Sequence, residues 1–187
     1  MARGVGLTTQ GVIDAAAALV DTHGVEALTI THIAAACGVR APSLYKHVAD
    51  LDEVRAALTL RAYAALADAL HATSDADPTR AVLAVGRAWR AWAKAHPGVY
   101  LIASRTHVRG DARVFAAGAK VVACMLDRVR ALGVGDERAL HLTRALRACI
   151  HGFVLLELSD GFGLAGDVDA SFDVALRALI AAARDQA

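Results

Sequence analysis

The amino-acid sequence predicts an all-α fold: a small N-terminal head of three helices, a long helix leading out of it, and a larger C-terminal helical region. Three observations carry this. Apolar residues recur at three- and four-residue spacing through nearly every long segment. The composition, 56% hydrophobic and rich in Ala and Leu with only three prolines, suits helices that pack closely on one another. Clusters of Gly, Pro, Asp and Ser separate the periodic segments.

Residues 9–23, TQGVIDAAAALVDTH, place Val12, Ile13, Ala16, Ala17, Leu19 and Val20 on one broad stripe, with Thr8 or Thr9 as N-cap and Gly24 as the stop. Thr29 caps a second helix of about two turns, ITHIAAACG, which Gly38 ends. Pro42 suits the first turn of a third helix because its missing N–H is not needed there. Asp50 then caps a long fourth helix running through His71. The loop HATSDADP follows, and helical patterns resume over Thr79 to Ala95, Arg113 to Leu132, Glu137 to Ser159 and Asp169 to Arg184. HPGVY, HVRGD, GVGD and DGFGLAGD read as punctuation between them.

Composition excludes several classes. Charged residues or histidines interrupt every apolar run well before the roughly 20 residues of a bilayer span. The N-terminus lacks the apolar core and cleavage site of a secretory signal, so a cytoplasmic, membrane-free protein is expected. Cys37, Cys124 and Cys149 are widely spaced and form no C-x-x-C pair, which argues against a disulfide framework or a zinc knuckle. No G-x-S-x-G, phosphate-binding loop, dinucleotide fingerprint or metal motif points to an enzyme, a cofactor or a metal.

The stretch GVRAPSLYKHVADLDEV answers to different needs. Two short helices joined by a turn at Gly38 have the spacing of a helix-turn-helix. Ile33, Ala34, Val39, Leu44 and Val48 are the expected clamp, leaving Arg40, Ala41, Ser43, Tyr45, Lys46 and His47 outward. Such a helix can be short because only its first turns enter a DNA major groove, about 12 Å wide.

LTITHIAAACGVRAPSLYKHVADLDEV resembles the DNA-binding domain of the tetracycline-repressor (TetR/AcrR) family, in its L-T before helix two, its A-x-x-x-G-V turn and its S-L-Y-x-H core. WRAWAKAHPGVYLI and HGFVLLELSDGFGL resemble a C-terminal domain of the WHG-like type found in one branch of that family. The resemblance implies a helix-turn-helix domain over 1–55 and a ligand-binding and dimerisation domain over 56–187. It also implies a homodimeric transcriptional regulator, usually a repressor, released from a palindromic double-stranded DNA operator by a small-molecule effector. Carried over, Thr31, Arg40, Ala41, Pro42, Ser43, Tyr45, Lys46 and His47 are the expected DNA contacts, and helices 137–159 and 169–184 the dimer contact. On those two helices Ala148, Gly152, Leu155, Leu156, Phe172, Leu176, Leu179 and Ile180 supply more apolar surface than one core needs.

The sequence departs from the family at the start of helix four, where a phosphate-gripping lysine is usual and Leu51 stands. Residues 1–50 hold three basic side chains (Arg3, Arg40, Lys46) against four acidic ones (Asp14, Asp21, Glu26, Asp50), so modest, salt-sensitive DNA affinity is expected. The backbone N–H groups at the start of helix four remain a place for a phosphate. The competing reading is a helical small-molecule-binding or interaction protein with little DNA affinity. In the C-terminal region, Trp89, Trp92, Tyr100, His107, Phe115, Met125, Arg144, Arg147, His151 and Phe153 are the candidate ligand-binding residues, each weighed against a plain core or surface role.

Overall fold

The computed structural model describes residues 7–105 and 111–184. Among these residues there are nine α-helices and no strand. They are α1 (Thr9–His23), α2 (Ile30–Ala36), α3 (Ala41–Leu44), α4 (Leu51–His71), α5 (Pro78–Ala95), α6 (Pro97–Arg105), α7 (Ala112–Arg130), α8 (Asp136–Leu158) and α9 (Val168–Arg184). The chain divides into two compact units, Met1–Tyr63 with His96–Phe115, and Ala64–Ala95 with Ala116–Ala187.

In the first unit local capping chemistry sets each helix start. The Thr8 hydroxyl accepts from the Gly11 N–H, and the Thr29 hydroxyl from the His32 N–H, which satisfies donors a helix start leaves open. Gly24 and Gly38, at φ +80° and +68°, end α1 and α2 in a backbone region that side-chain-bearing residues avoid. The Asp50 carboxylate accepts from the Glu53 N–H at 2.8 Å while the Glu53 carboxylate accepts from the Ala49 N–H, a reciprocal cap that starts α4. Val12, Ala16, Val20, Ile33, Leu44 and Val54 fill the core of this unit.

The third helix is shorter than its pattern predicts. It makes one turn from Ala41 and passes into a turn over Tyr45–His47, closed by N–H donation from His47 and Val48 to the Leu44 carbonyl. Val39, expected in the clamp, is only half-buried.

HPGVY is not punctuation but the first turn of α6. Pro97 takes the position where no N–H is needed, and the Asp21 carboxylate on α1 accepts from the Val99 N–H at 2.9 Å. Gly98 lies against the backbone of Val20 and Asp21, so α6 packs on α1 without a side chain between them. Tyr63 Oη donates to the Ala103 carbonyl at the other end of α6.

In the second unit α5, α8 and α9 pack together. Val82, Leu83, Trp89, Met125, Leu146 and Ile150 are buried. So are Phe172, Leu176 and Ile180, which corrects the expectation that they are surplus apolar surface: a Cβ on Gly86 would meet Leu176 Cδ1 at 2.7 Å, and Phe172 stacks edge-on with Phe153. The large apolar residues that α8 and α9 leave exposed are Leu140, Leu155, Leu156 and Val174. Among the described residues α8 is the one helix long and apolar enough, by length and composition, to cross a bilayer. Its buried face is committed to this unit, and Arg144 and Arg147 stand exposed along it.

Candidate nucleic-acid interface and effector-binding residues

Leu44 and Val48, 0% and 3% exposed, anchor the α3 segment from below. The Thr9 hydroxyl on α1 donates to the His47 carbonyl at 2.9 Å and ties down its far end. Between these anchors Arg40, Pro42, Tyr45 and Lys46 are exposed, with Tyr45 at 57%, while Ala41, Ser43 and His47 are half-buried. Thr31, in the first turn of α2, is also exposed. Arg40 is the N-cap of α3 in extended conformation and makes no side-chain capping bond, so its guanidinium is not used to start the helix.

This surface offers a guanidinium, an ammonium, a phenol, two hydroxyls and an imidazole on one unit. They can donate to phosphate oxygens and to the guanine O6 and N7 acceptors of a major groove. An apolar Leu44 cannot be exchanged for Ala without loosening the whole segment.

The start of α4 differs from the expectation for an open anion site. The Ala49 and Glu53 amides are already held by the Glu53 and Asp50 carboxylates, and Asp52 adds a third acidic group in the same turn. Leu51 is half-buried and brings no charge. Arg55, one turn on, is paired to Asp52 at 2.9 Å, and Arg61 pairs with Asp14. The carboxylates of Asp50, Asp52 and Glu53 oppose phosphate here and offset the partial positive charge of the helix N-terminus.

The candidate ligand-binding residues fall in both units. Trp89, Trp92, Met125, Arg144, Arg147, His151 and Phe153 belong to the second; Tyr100 and Phe115 belong to the first; His107 lies outside the described residues. Trp89, Tyr100 and Met125 are buried, whereas Phe115 is 67% exposed and Arg144 and Arg147 face solvent. Phe153 sits between Phe162 and Phe172 at centroid distances of 5.3 and 5.2 Å. Burial, with the Arg147 charge beside it, lowers the His151 pKa and favours the neutral imidazole. Among the described residues no group of three or more His, Cys, Asp or Glu could hold a metal ion.

The sequence reading passed over one cluster. Arg90, 8% exposed, makes a two-point contact with Glu157 at 2.6 and 2.7 Å, reaches Asp169 at 2.7 Å and lies 4.8 Å from the Phe172 ring centre. Lys94 also reaches Glu157, at 2.6 Å. The Arg90 guanidinium beside Glu157 holds that carboxyl below its ordinary range. An open cleft of about 620 Å³ lies alongside, lined by Arg87, Arg90, Lys94, Asp169, Phe172 and Asp173 among others. The signal was available: Arg90 occupies the same stripe of α5 as Val82, Gly86 and Ala93.

Comparison with known proteins agrees with this geometry. Residues 12–58 match the model of bacterial regulatory proteins of the tetR family, and residues 82–179 match the tetracyclin repressor-like C-terminal domain. The chain is 31% identical over 171 residues to the helix-turn-helix-type transcriptional regulator Rv0681 of Mycobacterium tuberculosis, spanning 90% of this chain and 77% of that protein. It is 29% identical to the helix-turn-helix-type regulator YobS of Bacillus subtilis, over 94% of this chain and 92% of that one. The fold is shared with a solved TetR variant from Acinetobacter baumannii AYE in complex with minocycline, at 23% identity and a TM-score of 0.73, covering 97% and 98% of the two chains. A protein from Rhodococcus sp. RHA1 superposes with a TM-score of 0.82 at 18% identity, covering 97% of this chain and 98% of that one. Matched by family models at both ends and by curated regulators along nearly its whole length, the chain belongs to the TetR family of DNA-binding transcriptional regulators, which are not enzymes.

Proposed function

We propose that the protein represses transcription by binding a palindromic operator as a homodimer in the cytoplasm, and leaves it when a small molecule binds the C-terminal helical domain. The single observation that carries the DNA half is the α3 segment held by Leu44, Val48 and the Thr9 to His47 bond, with Tyr45 and Lys46 outward. In this reading Arg40, Ser43 and Lys46 address base edges or phosphates; Thr31, Tyr45 and His47 hold the backbone; Ala41 and Pro42 make close apolar contact. The head is residues 1–55 and the effector domain 56–187.

Dimerisation through α8 and α9 is supported by the stripe Leu140, Arg144, Ala148, Gly152, Leu155 on α8 and by Val174 and Ala178 on α9, at helical spacing and not buried in the subunit. A dimer sets two recognition segments about 34–36 Å apart, matching successive major grooves on one face of DNA. The effector acts through its preference for the form with the wrong spacing; release from nearly all bound to nearly all free needs about 5.5 kcal/mol of that preference. Trp89, Trp92, Met125 and Phe153, with Tyr100, Phe115, Arg144, Arg147, His151 and His107, are the candidates for contact with it.

The test is selection of duplexes from a random pool by the purified protein, followed by affinity measurement from 50 to about 200 mM salt. A repressor selects an inverted repeat and loses affinity steeply with salt. Recovery of no common sequence, with binding insensitive to salt, favours a helical ligand-binding protein with little DNA affinity, a reading the acidic start of α4 motivates.

A further inference from the structure

The cleft beside Arg90 in the second unit is lined by more hydrogen-bond donors than the protein itself uses. Arg87, Arg90 and Lys94 stand at three- and four-residue spacing on one stripe of α5, and the first two turns of α9 contribute Asp169, Phe172 and Asp173. Its volume, about 620 Å³, is that of a small-molecule site.

Arg90 is the fixed part of this lining. Its Nε and Nη2 donate to the two oxygens of Glu157, and its guanidinium lies 4.8 Å from the Phe172 ring centre. Nη1 makes no bond among the described residues and is not enclosed by protein, so its two N–H groups open on the cleft that the side chain lines. One N–H from Nη1 and the remaining one from Nη2 form the outer edge of the guanidinium, the fork that a carboxylate meets with both oxygens. A planar group already held in this way loses little freedom when that edge is taken.

The carboxylates around Arg90 differ in how firmly they are held. Glu157 is bound through both oxygens by Arg90 and also accepts from Lys94 at 2.6 Å. Asp173 is bound through both oxygens by Arg87. The Asp167 carboxylate accepts from the Asp169 and Ala170 amides and so serves as the cap of α9. Asp169 is the loose one: its side chain is 81% exposed and touches Arg90 at a single point, Oδ1 to Nη2 at 2.7 Å. A pair so open to water on one side is weak. Arg87, Arg90 and Lys94 therefore meet two fully committed carboxylates, and their remaining positive charge is covered by a third that can swing away.

We infer that this cleft binds a small monocarboxylate, which displaces Asp169, pairs with the outer edge of Arg90 and lays its apolar part along Ala91, Ala170 and Phe172. Asp169 already places a carboxylate against this guanidinium, and one negative charge exchanged for another keeps the balance that a dianion or a neutral molecule would upset. None of the candidate effector residues lines this cleft, so the inference goes beyond the effector reading and does not rest on it.

The test is calorimetric titration of the full-length protein with benzoate, benzamide and inorganic phosphate. Benzoate is expected to bind the wild-type protein at least about tenfold more tightly than either of the others. Asp169→Asn keeps the shape and removes the competing charge, and is expected to tighten benzoate about fivefold, the reverse of what loss of a merely structural contact does. Arg90→Gln is expected to abolish binding. Where circular dichroism shows that this variant does not fold, Lys94→Gln, at an exposed position, decides the matter with an expected several-fold loss. Benzamide or phosphate binding as tightly as benzoate, no benzoate binding by the wild-type protein, unchanged or weaker binding by Asp169→Asn, or full binding by Arg90→Gln or Lys94→Gln overturns the inference.

Discussion

Gly98 at the start of α6 approaches the last turn of α1 so closely that an added Cβ would overlap the Val20 carbonyl and stand 2.7 Å from the Asp21 nitrogen. The obstacle is backbone on both sides, which cannot rotate away as a side chain tip can. Gly98→Ala is therefore expected to cost about 3 kcal/mol and lower the melting temperature by roughly 10 °C. Thermal unfolding measured by circular dichroism checks this; an unchanged midpoint means that α6 does not dock on α1.

In the proposed DNA-binding reading, the acidic turn at the start of α4 weakens the hold on phosphate. Leu51→Lys restores one cation per subunit beside Asp50, Asp52 and Glu53. Operator affinity is expected to rise, and the slope of log affinity against log salt to steepen by about 2 for a dimer. A titration at several salt concentrations reads both. No change in slope means that this turn stays clear of phosphate in the complex.

Stability should fall with acid, and in a stated order. Burial lowers the His151 pKa from 6.5, so the unfolded chain takes that proton first as pH drops through 6.5. Glu157, Asp173 and Asp111 are each held below their ordinary values by arginine partners, Arg90, Arg87 and Arg113, with Asp111 at about 2. Their contribution is present above the unfolded-state values, near 4, and is lost as pH falls through the folded ones. Urea midpoints at pH 7.5, 5 and 3 should decline in that sequence. Glu157→Gln is expected to cost about 2 kcal/mol at pH 7 and to flatten the lower limb, since Arg90 keeps only Asp169.

The exposed stripe on α8 and α9 can be broken without touching either core. Leu155 and Val174 are 38% and 66% exposed, so Leu155→Arg and Val174→Arg should change subunit stability by less than about 0.5 kcal/mol. Sedimentation velocity is expected to show monomer, with duplex affinity reduced about 100-fold or more. Variants that remain dimeric place the subunit contact elsewhere.

Most of the head was legible from the sequence because its signals are local. Thr8, Thr29 and Asp50 each cap the helix directly after them, and Gly24 and Gly38 end helices within a turn of themselves. Helix α6 was not legible, since a Pro-Gly pair reads as a break; what makes it a helix is docking on Val20 and a cap from Asp21, 78 residues away in sequence. The Arg90 to Glu157 pair escaped for the same reason, a partner 67 residues distant. Phe172, Leu176 and Ile180 looked surplus because their burial depends on partners distant in sequence; Leu176 fills space opened by Gly86, whose smallness has meaning only once α5 meets α9, and Phe172 packs on Phe153 and Arg90. Among the candidate site residues, the α3 set was readable as a motif, whereas the burial of Trp89, Tyr100 and Met125 and the exposure of Phe115 are visible only when their surroundings are known.

The most direct measurement is the affinity of Lys46→Ala and Tyr45→Ala for a duplex selected by the wild-type protein, with dimer mass checked in the same samples. Both side chains are exposed, so folding and assembly should be untouched. The expected result is a dimer whose affinity falls by about tenfold or more in each variant and whose salt slope becomes shallower for Lys46→Ala. Wild-type affinity and slope in both variants would contradict the assignment of the α3 segment as the surface that reads DNA.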